Sequence, residues 1–194
     1  MNVYDFDGTI YNGDTNKDLI KFAFKKYPKL VWKSLMSARK LKKEYEHNLV
    51  EFERVKEEML SFIFKINNYP QFINEFVDNH MKNIKPWYMS KRTENDVILS
   101  ASYDLWISQF AKRLGVKVVI ATKTDSNGKI VGRNCKGEEK VRRLSEILPG
   151  VKVKSSYGDS ECDKPVLELA ETAFVVEGNK LKAYFKGYKF KNKK

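Results

Sequence analysis

Two aspartates near the start of the chain are the residues whose type and spacing best suit chemistry. Residues 3–9 read Val-Tyr-Asp-Phe-Asp-Gly-Thr, which places Asp5 and Asp7 two positions apart and directly before Gly8. Because side chains alternate along a strand, an opening strand would point both carboxylates to the same face. Adjacent like charges cost stability unless a cation lies between them or the strand ends in solvent. The segment therefore indicates a cation-dependent site, and the alternative is an exposed Asp-Gly turn.

Similar polar segments follow other β-branched runs of the chain. They are Ser100-Ala101-Ser102, Thr122-Lys123-Thr124 and residues 158–163, Gly-Asp-Ser-Glu-Cys-Asp. Ligands of open parallel sheets bind at the carboxyl ends of the strands, so these segments are expected to converge. Hydroxyls and N–H groups at helix starts suit an anion such as phosphate, whereas the acids would repel it. Mg²⁺ would remove that conflict, because it takes one or two carboxylates and leaves positions for phosphate oxygens.

The apolar pattern divides the chain into two kinds of secondary structure. From about residue 14 to residue 86, apolar residues recur at spacings of three and four, which predicts a helical block with helix starts near Pro28 and Pro70. Short β-branched runs then predict strands near 97–99, 116–121, 151–153 and 173–176. Helical patterns near 103–114, 138–148 and 163–171 alternate with these strands, and Ser126-Asn127-Gly128 predicts a hairpin turn.

Strands that alternate with helices predict an α/β fold with a Rossmann-like, mostly parallel sheet flanked by helices. The opening strand belongs to this sheet, so the helical block is expected to be an inserted α-helical bundle cap. The predicted domains are a Rossmann-like core of residues 1–13 and 88–194 and a helical cap of residues 14–87. Only two residues lie between Met1 and Tyr4, so the opening strand is short for a central strand.

Composition favours a folded globule. The chain has 194 residues, of which 42% are hydrophobic, enough for one core plus a small accessory domain. No run approaches the ~20 apolar residues needed to span a bilayer, and Asp5 and Asp7 interrupt the region where a signal peptide needs its apolar core. Cys135 and Cys162 are too few for a disulfide framework and lack metal-ligand spacing, so the reducing cytoplasm is the expected location.

The net charge of +12 is unevenly distributed. Residues 20–43 contain nine basic residues and no acid, namely Lys21, Lys25, Lys26, Lys29, Lys33, Arg39, Lys40, Lys42 and Lys43. The C-terminal tail adds Lys182, Lys186, Lys189, Lys191, Lys193 and Lys194 among the aromatic residues Tyr184, Phe185, Tyr188 and Phe190. Such patches attract phosphate-bearing small molecules, acidic lipid head groups or nucleic acid, and the alternative is a solvated face with a frayed tail. Nucleic acid is disfavoured because no recognised binding motif accompanies the charge.

Four segments together resemble the haloacid dehalogenase superfamily of phosphohydrolases, in particular its phosphoserine-phosphatase-like branch with a helical cap after the first strand. Residues 5–9 match the first motif of that family, Ser100 the second, Lys140 the third, and the segment from Gly158 to Asp163 the fourth. The resemblance covers the opening strand and residues from about 95 to 177. The cap matches only in its position and helical character.

The resemblance implies a Mg²⁺-dependent phosphatase that forms an aspartyl-phosphate intermediate. Asp5 would be the nucleophile, and Asp7 would protonate the leaving alcohol and later accept a proton from water. Mg²⁺ would be held by Asp5, by the backbone carbonyl of Asp7 and by Asp159, with Asp163 supporting the site from close by.

Other residues would hold the phosphoryl group. They are Ser100 with Ala101, Lys140, and the first-motif residues Gly8 and Thr9, of which Thr9 would also orient the Asp7 carboxylate. Lys136 competes with Lys140 for this role, and Ser102 is interpreted as a cap of the following helix.

Substrate choice would depend on the cap, where Asp14 and Arg54 are the candidates. Asp14 occupies the position of a substrate-facing glutamate in phosphoserine phosphatases, but it could equally be a helix cap. No cap arginine is clearly placed, which disfavours phosphoserine itself. The basic stretch instead favours an anionic or interfacial substrate, such as a phosphatidylglycerophosphate-like phospholipid head group, with peripheral contact at the inner membrane surface. A non-catalytic phosphoanion-binding protein is the remaining alternative.

Overall fold

The computed structural model describes residues 1–190, and its centre is a six-stranded sheet in the order β3-β2-β1-β4-β5-β6. The strands are β1 (Asn2–Tyr4), β2 (Val97–Tyr103), β3 (Val118–Thr122), β4 (Ser155–Gly158), β5 (Thr172–Glu177) and β6 (Lys180–Ala183). The first five strands are parallel, and β6 is antiparallel to β5. The predicted α/β fold with a mostly parallel sheet is confirmed.

Eight helices surround this sheet within the described residues. They are α1 (Thr15–Lys26), α2 (Pro28–Glu46), α3 (Phe52–Leu60), α4 (Tyr69–His80), α5 (Pro86–Lys91), α6 (Asp104–Leu114), α7 (Glu138–Ile147) and α8 (Lys164–Leu167). Short 3₁₀ turns occupy Ile63–Lys65, Met81–Asn83 and Glu161–Asp163. Pro28 is the first residue of α2 and Pro70 the second of α4, as the sequence predicted. Proline suits the first helical turn because its missing N–H would form no hydrogen bond within the helix there.

The inserted helices share a hydrophobic core with the sheet domain. Phe76 of α4 lies against Phe110 of α6, with ring centroids 6.1 Å apart, and Leu19 of α1 belongs to the same buried cluster as Trp106 of α6. The division into a core of residues 1–13 and 88–194 and a cap of residues 14–87 stays a prediction. No helix within residues 1–190 is both long and apolar enough to cross a membrane.

The opening strand is shorter than expected, and this changes where its acids lie. β1 ends at Tyr4, so Asp5 and Asp7 follow the strand instead of sharing one of its faces. Phe6 accepts hydrogen bonds from the N–H groups of Thr9 and Tyr11, and Gly8 has a φ of 79°. Gly8 permits this turn because glycine adopts positive φ without a steric penalty.

Two other predictions need correction, and one strand was not predicted. Residues 151–153 are not a strand. The pairing of β1 with β4 begins with Asn2 opposite Ser155, and Ser155 lies after the β-branched run. The helix expected near 163–171 is only the one-turn α8. β6 was not predicted, although Gly178 and Asn179 separate β5 from β6 as a two-residue hairpin turn.

The predicted turn at 126–128 is present, and an antiparallel β-bridge pairs Thr124 with Ile130 on either side of it. Lys191, Lys193 and Lys194 of the basic tail lie outside the described residues.

Candidate active site

Three carboxylates meet where β1 and β4 end. Asp5 follows β1, Asp159 follows β4, and Asp163 ends the short turn before α8. One carboxylate oxygen of each lies within 4.8 Å of the others, with Asp159 and Asp163 buried and Asp5 half-buried. Hard oxygen donors at this spacing fit Mg²⁺, which binds through carboxylates and retains positions for other oxygen ligands. The structure therefore brings together three of the residues that the sequence proposed as metal ligands.

Lys140 lies within the same cluster. Its Nζ donates to Asp5 Oδ1 and to Asp163 Oδ1, both at 2.7 Å, and its side chain is 3% exposed. Burial alone would lower the pKa of this lysine, but Asp163 and Asp5 outweigh burial and raise it, so the lysine stays charged. Of the two candidate lysines, Lys140 reaches the acids, whereas Lys136 is exposed on the preceding loop.

Asp163 fixes the loop that carries Asp159. Its Oδ2 accepts hydrogen bonds from the backbone N–H groups of Asp159 and Ser160, both at 3.1 Å, and from Ser160 Oγ at 2.8 Å. A Cβ added to Gly158 would lie 2.4 Å from the Cβ of Asp163, so only glycine allows this close approach. Asp163 thus supports the site from close by, and it is also bonded to Lys140.

The two first-motif acids have different surroundings. Burial, followed by the nearby charge of Asp163, raises the pKa of Asp5 to about 7, although Lys140 acts in the opposite direction. Asp7 is held by the Thr15 N–H at Oδ1 and by Ser102 Oγ at Oδ2, both at 2.6 Å. Burial raises the pKa of Asp7 despite the opposing effect of these two hydrogen bonds. A carboxyl group with a raised pKa is suited to donate a proton.

Ser102 is a site residue that the sequence interpretation missed. Its hydroxyl contacts Asp7 and accepts from Asn16 Nδ2 at 2.7 Å, while Tyr103 precedes α6 and no side chain caps that helix. The interpretation of Ser102 as a helix cap is therefore wrong. The alternation of Ser100 and Ser102 on one strand could have indicated a shared direction toward the site.

Ser100 and Ala101 lie at the same strand end. Ser100 is fully buried and its Oγ accepts from the Ser102 N–H at 3.1 Å. The Ala101 carbonyl accepts from Lys56 Nζ at 2.5 Å and from Thr122 Oγ1 at 2.7 Å. These contacts fix the backbone of the segment that was predicted to bind phosphate.

Lys56 of α3 is a second residue that the sequence did not indicate. Its buried Nζ also donates to Asn134 Oδ1 at 2.8 Å and lies 4.9 Å from the centroid of the Tyr103 ring. Burial lowers the pKa of Lys56 to about 8. Arg54, the predicted cap residue, is instead exposed and lies 3.2 Å from Glu57.

The remaining first-motif residues are constrained by their own turn. The Gly8 N–H donates to the Tyr11 carbonyl at 2.9 Å, and the Thr9 N–H donates to the Phe6 carbonyl at 3.3 Å. Thr9 Oγ1 is buried and has no hydrogen-bond partner among residues 1–190, so Ser102 and the Thr15 N–H orient Asp7. Asp14 caps α1 by accepting from the N–H groups of Asn16 and Lys17.

A cleft of about 730 Å³ opens beside these acids. Asp7, Gly8 and Asp159 line part of it, and Asp14 and Lys17 at the start of α1 line another part. Glu177 and Gly178, at the turn between β5 and β6, also belong to its lining. A ligand in this cleft would contact Asp7 and Asp159 as well as this turn.

Comparison with known proteins agrees with this geometry. Residues 3–168 match the family model of haloacid dehalogenase-like hydrolases. Protein CicA of Caulobacter vibrioides (strain NA1000 / CB15N) is 38% identical over 82 residues, a match that covers 39% of this chain and 37% of CicA. The matched region therefore spans little more than a third of that relative's length.

Two solved structures show the shared fold. A protein of unknown function from Bordetella pertussis Tohama I superposes with a TM-score of 0.68 at 19% identity, covering 89% of this chain and 87% of its own. A phosphoserine phosphohydrolase-like protein from Francisella tularensis subsp. tularensis SCHU S4 gives a TM-score of 0.53 at 17% identity, covering 89% and 86%. The resemblance to a phosphoserine-phosphatase-like fold, stated from four short segments, is confirmed.

Proposed function

The chain belongs to the haloacid dehalogenase-like hydrolase family, and on that premise we propose that it is a Mg²⁺-dependent phosphatase acting on a small phosphorylated metabolite. The observation that carries the proposal is the convergence of Asp5, Asp159 and Asp163 within 4.8 Å, with Lys140 bonded to two of them. A phosphate monoester is itself negative, so its hydrolysis depends mainly on positioning and charge stabilisation. This cluster supplies both.

The first half-reaction uses both first-motif acids. A carboxylate oxygen of Asp5 attacks the phosphorus atom, the bond from phosphorus to the ester oxygen breaks, and an aspartyl-phosphate forms. Asp7 gives its proton to the departing oxygen, so the leaving group departs as a neutral alcohol. The raised pKa of Asp7 supports this role because it favours the protonated acid before the reaction.

The second half-reaction restores the enzyme. Asp7, now a carboxylate, accepts a proton from a water molecule whose oxygen attacks the phosphorus atom. The bond between phosphorus and Asp5 then breaks, which releases inorganic phosphate and regenerates the Asp5 carboxylate. Ser102 and the Thr15 N–H keep the Asp7 carboxyl group in one orientation through both transfers.

The residues that would hold Mg²⁺ are Asp5, Asp159 and the backbone carbonyl of Asp7, with Asp163 beside them. When bound, Mg²⁺ neutralises negative charge on the phosphoryl oxygens and on the attacking carboxylate. Lys140 adds a positive charge 2.7 Å from Asp5 Oδ1. The proposed phosphoryl contacts are Lys140, Ser100 with Ala101, and the first-motif residues Gly8 and Thr9.

Hydrolysis of p-nitrophenyl phosphate with and without Mg²⁺ tests the proposal. We expect Mg²⁺-dependent release of phosphate, abolished by EDTA and reduced at least about 1000-fold in Asp5→Asn. Asp78→Asn is the matched control, because Asp78 is exposed and forms a surface ion pair with Arg113. Absence of hydrolysis across a panel of phosphorylated metabolites, with inorganic phosphate still bound, would favour a non-catalytic phosphoanion-binding protein.

The outer face of α2 favours a phospholipid head group as a second candidate substrate. Trp32 is 61% exposed and Met36 is 39% exposed one helical turn later, with exposed Lys29, Lys33 and Lys40 around them. Apolar side chains surrounded by lysines suit the surface of an anionic bilayer.

Vesicle sedimentation tests this candidate. Phosphatidylglycerol vesicles should retain the protein at ~0.15 M salt, whereas phosphatidylcholine vesicles should not. Retention should fall in Trp32→Ala/Met36→Ala and remain in Met89→Ala, a control at another exposed methionine. Lack of binding to the anionic vesicles would contradict the membrane proposal without affecting the phosphatase proposal.

A further inference from the structure

The cleft beside the acids has an aromatic wall that comes from the C-terminal segment. Tyr188 and Phe190 line it together with Val175 and Val176 of β5, and Asp7 and Asp159 belong to the same lining. Because the phosphoryl group must lie at the acids, the leaving group extends into the space that this wall bounds. The wall therefore contacts the part of the substrate that distinguishes one phosphate ester from another.

Ionic groups in the cleft already have partners within the protein. Lys85 donates to the carbonyls of Gly8 and Gly178, the latter at 2.6 Å. Asp18 accepts from Tyr11 Oη at 2.9 Å and from Lys21 Nζ at 3.2 Å. Asp14 caps α1, whereas the side chains of Lys17 and Lys21 are 74% and 73% exposed. The apolar surface of the lining comes from Val175, Val176, Tyr188 and Phe190.

The aromatic segment is held in position by specific contacts. Tyr188 Oη donates to Glu177 Oε1 at 2.9 Å, and Tyr184 Oη donates to Glu168 Oε1 at 2.8 Å. The rings of Tyr188 and Phe190 meet edge to face with centroids 5.2 Å apart. A wall fixed in this way binds a ring with little loss of conformational entropy.

We propose that Tyr188 and Phe190 select the substrate, and that the substrate class is phosphate monoesters whose leaving group carries a flat, apolar ring system. The proposal rests on the proposed phosphatase activity and specifies its substrate. A volume of about 730 Å³ exceeds the needs of a small alcohol and falls in the range of sites that bind larger ligands. Ring-on-ring contact strengthens binding by roughly 2- to 12-fold per aromatic pair.

The test compares kcat/KM for 1-naphthyl phosphate with kcat/KM for glycerol 3-phosphate, which lacks a ring. The natural sequence should prefer the naphthyl ester, and Tyr188→Ala/Phe190→Ala should lower that preference by roughly 10-fold or more, mainly through a higher KM. Phe185→Ala is the matched control, since Phe185 lies in the same segment but is 64% exposed and does not line the cleft. Tyr188→Phe retains the ring and should retain the preference despite losing the hydrogen bond to Glu177.

An unchanged preference in the active double variant would overturn the proposal. Failure of the phosphatase proposal has a different signature, namely no hydrolysis of either ester by the natural sequence. In that case, calorimetric binding of 1-naphthyl phosphonate still tests the wall, because binding needs no catalysis. Equal affinity of the natural sequence and the double variant for this phosphonate would also overturn the proposal.

Discussion

Ser102 Oγ donates a 2.6 Å hydrogen bond to Asp7 Oδ2 across 95 residues of sequence. Ser102 lies near the end of β2 and Asp7 just beyond β1, so parallel pairing of these two strands creates the contact. The orientation of the proposed acid-base residue is thus controlled by the neighbouring strand. The first-motif turn alone does not set this orientation, since Thr9 Oγ1 forms no hydrogen bond among residues 1–190.

Ser102→Ala should lower kcat by about 10- to 100-fold, because a mispositioned acid transfers protons poorly. Loss of a donor to the charged carboxylate also raises the pKa of Asp7 further, so the alkaline limb of the kcat profile should move to higher pH. Ser102→Thr retains the hydroxyl and should recover most of the activity. An unchanged pH profile in the alanine variant would show that the hydrogen bond does not act on Asp7.

Lys140→Met should destabilise the protein by about 3–5 kcal/mol in the absence of divalent cations. The substitution leaves half-buried Asp5 and buried Asp163 without their shared cation, and an uncompensated buried charge carries a cost of this size. Mg²⁺ should recover part of the loss, so its effect on Tm should be larger in the variant than in the natural sequence. Urea unfolding with and without Mg²⁺ measures both quantities, and exposed Lys136→Met should leave them unchanged.

Gly158→Ala should reduce both stability and activity. The new methyl group would lie 2.4 Å from the Cβ of Asp163, so the loop that carries Asp159 has to move. We expect a loss of about 1–3 kcal/mol in the free energy of unfolding and weaker Mg²⁺ binding. Gly150→Ala is the comparison: Gly150 has a φ of 71° but open space around its Cα, so it reports backbone strain alone. Equal effects on Mg²⁺ binding would contradict a specific role for the Gly158 contact.

The sequence predicted the parts of the site that depend on local pattern. Asp5, Asp159 and Asp163 lie in polar segments that were expected to converge because parallel strands present their carboxyl ends on one edge, and the structure brings them together. Their assignment as metal ligands came from the family resemblance and stays a prediction. Lys140 could be chosen over Lys136 only through the family resemblance. Lys56 could not be predicted, because nothing in its own helix distinguishes a lysine that folding directs toward the site.

Long-range packing decided the remaining differences. Ser102 satisfied a local rule for helix caps, but its hydroxyl instead contacts Asp7, which is remote in sequence and close in the sheet. The β-branched run at 151–153 satisfied a local rule for strands, but the pairing with β1 begins only at Ser155. In both cases the competing tertiary contact is absent from the local pattern.

Because Lys56 is buried, the free energy of unfolding should increase as the pH rises above about 8. Burial lowers its pKa from 10.5 to about 8 in the folded protein, so between these values the unfolded chain holds a proton that the folded chain has released. Stability rises with pH wherever the unfolded state binds more protons, so Lys56 costs stability at pH 7, and the cost diminishes above pH 8.

Unfolding by urea at pH 7 and pH 10 should therefore show the natural sequence gaining stability relative to Lys56→Met, by up to about 3 kcal/mol. Hydrogen bonds lost with Lys56 contribute at both pH values and cancel in this comparison. Lys33→Met, at an exposed lysine, provides the baseline, and a difference between the natural sequence and Lys56→Met that stayed constant from pH 7 to pH 10 would contradict the lowered pKa.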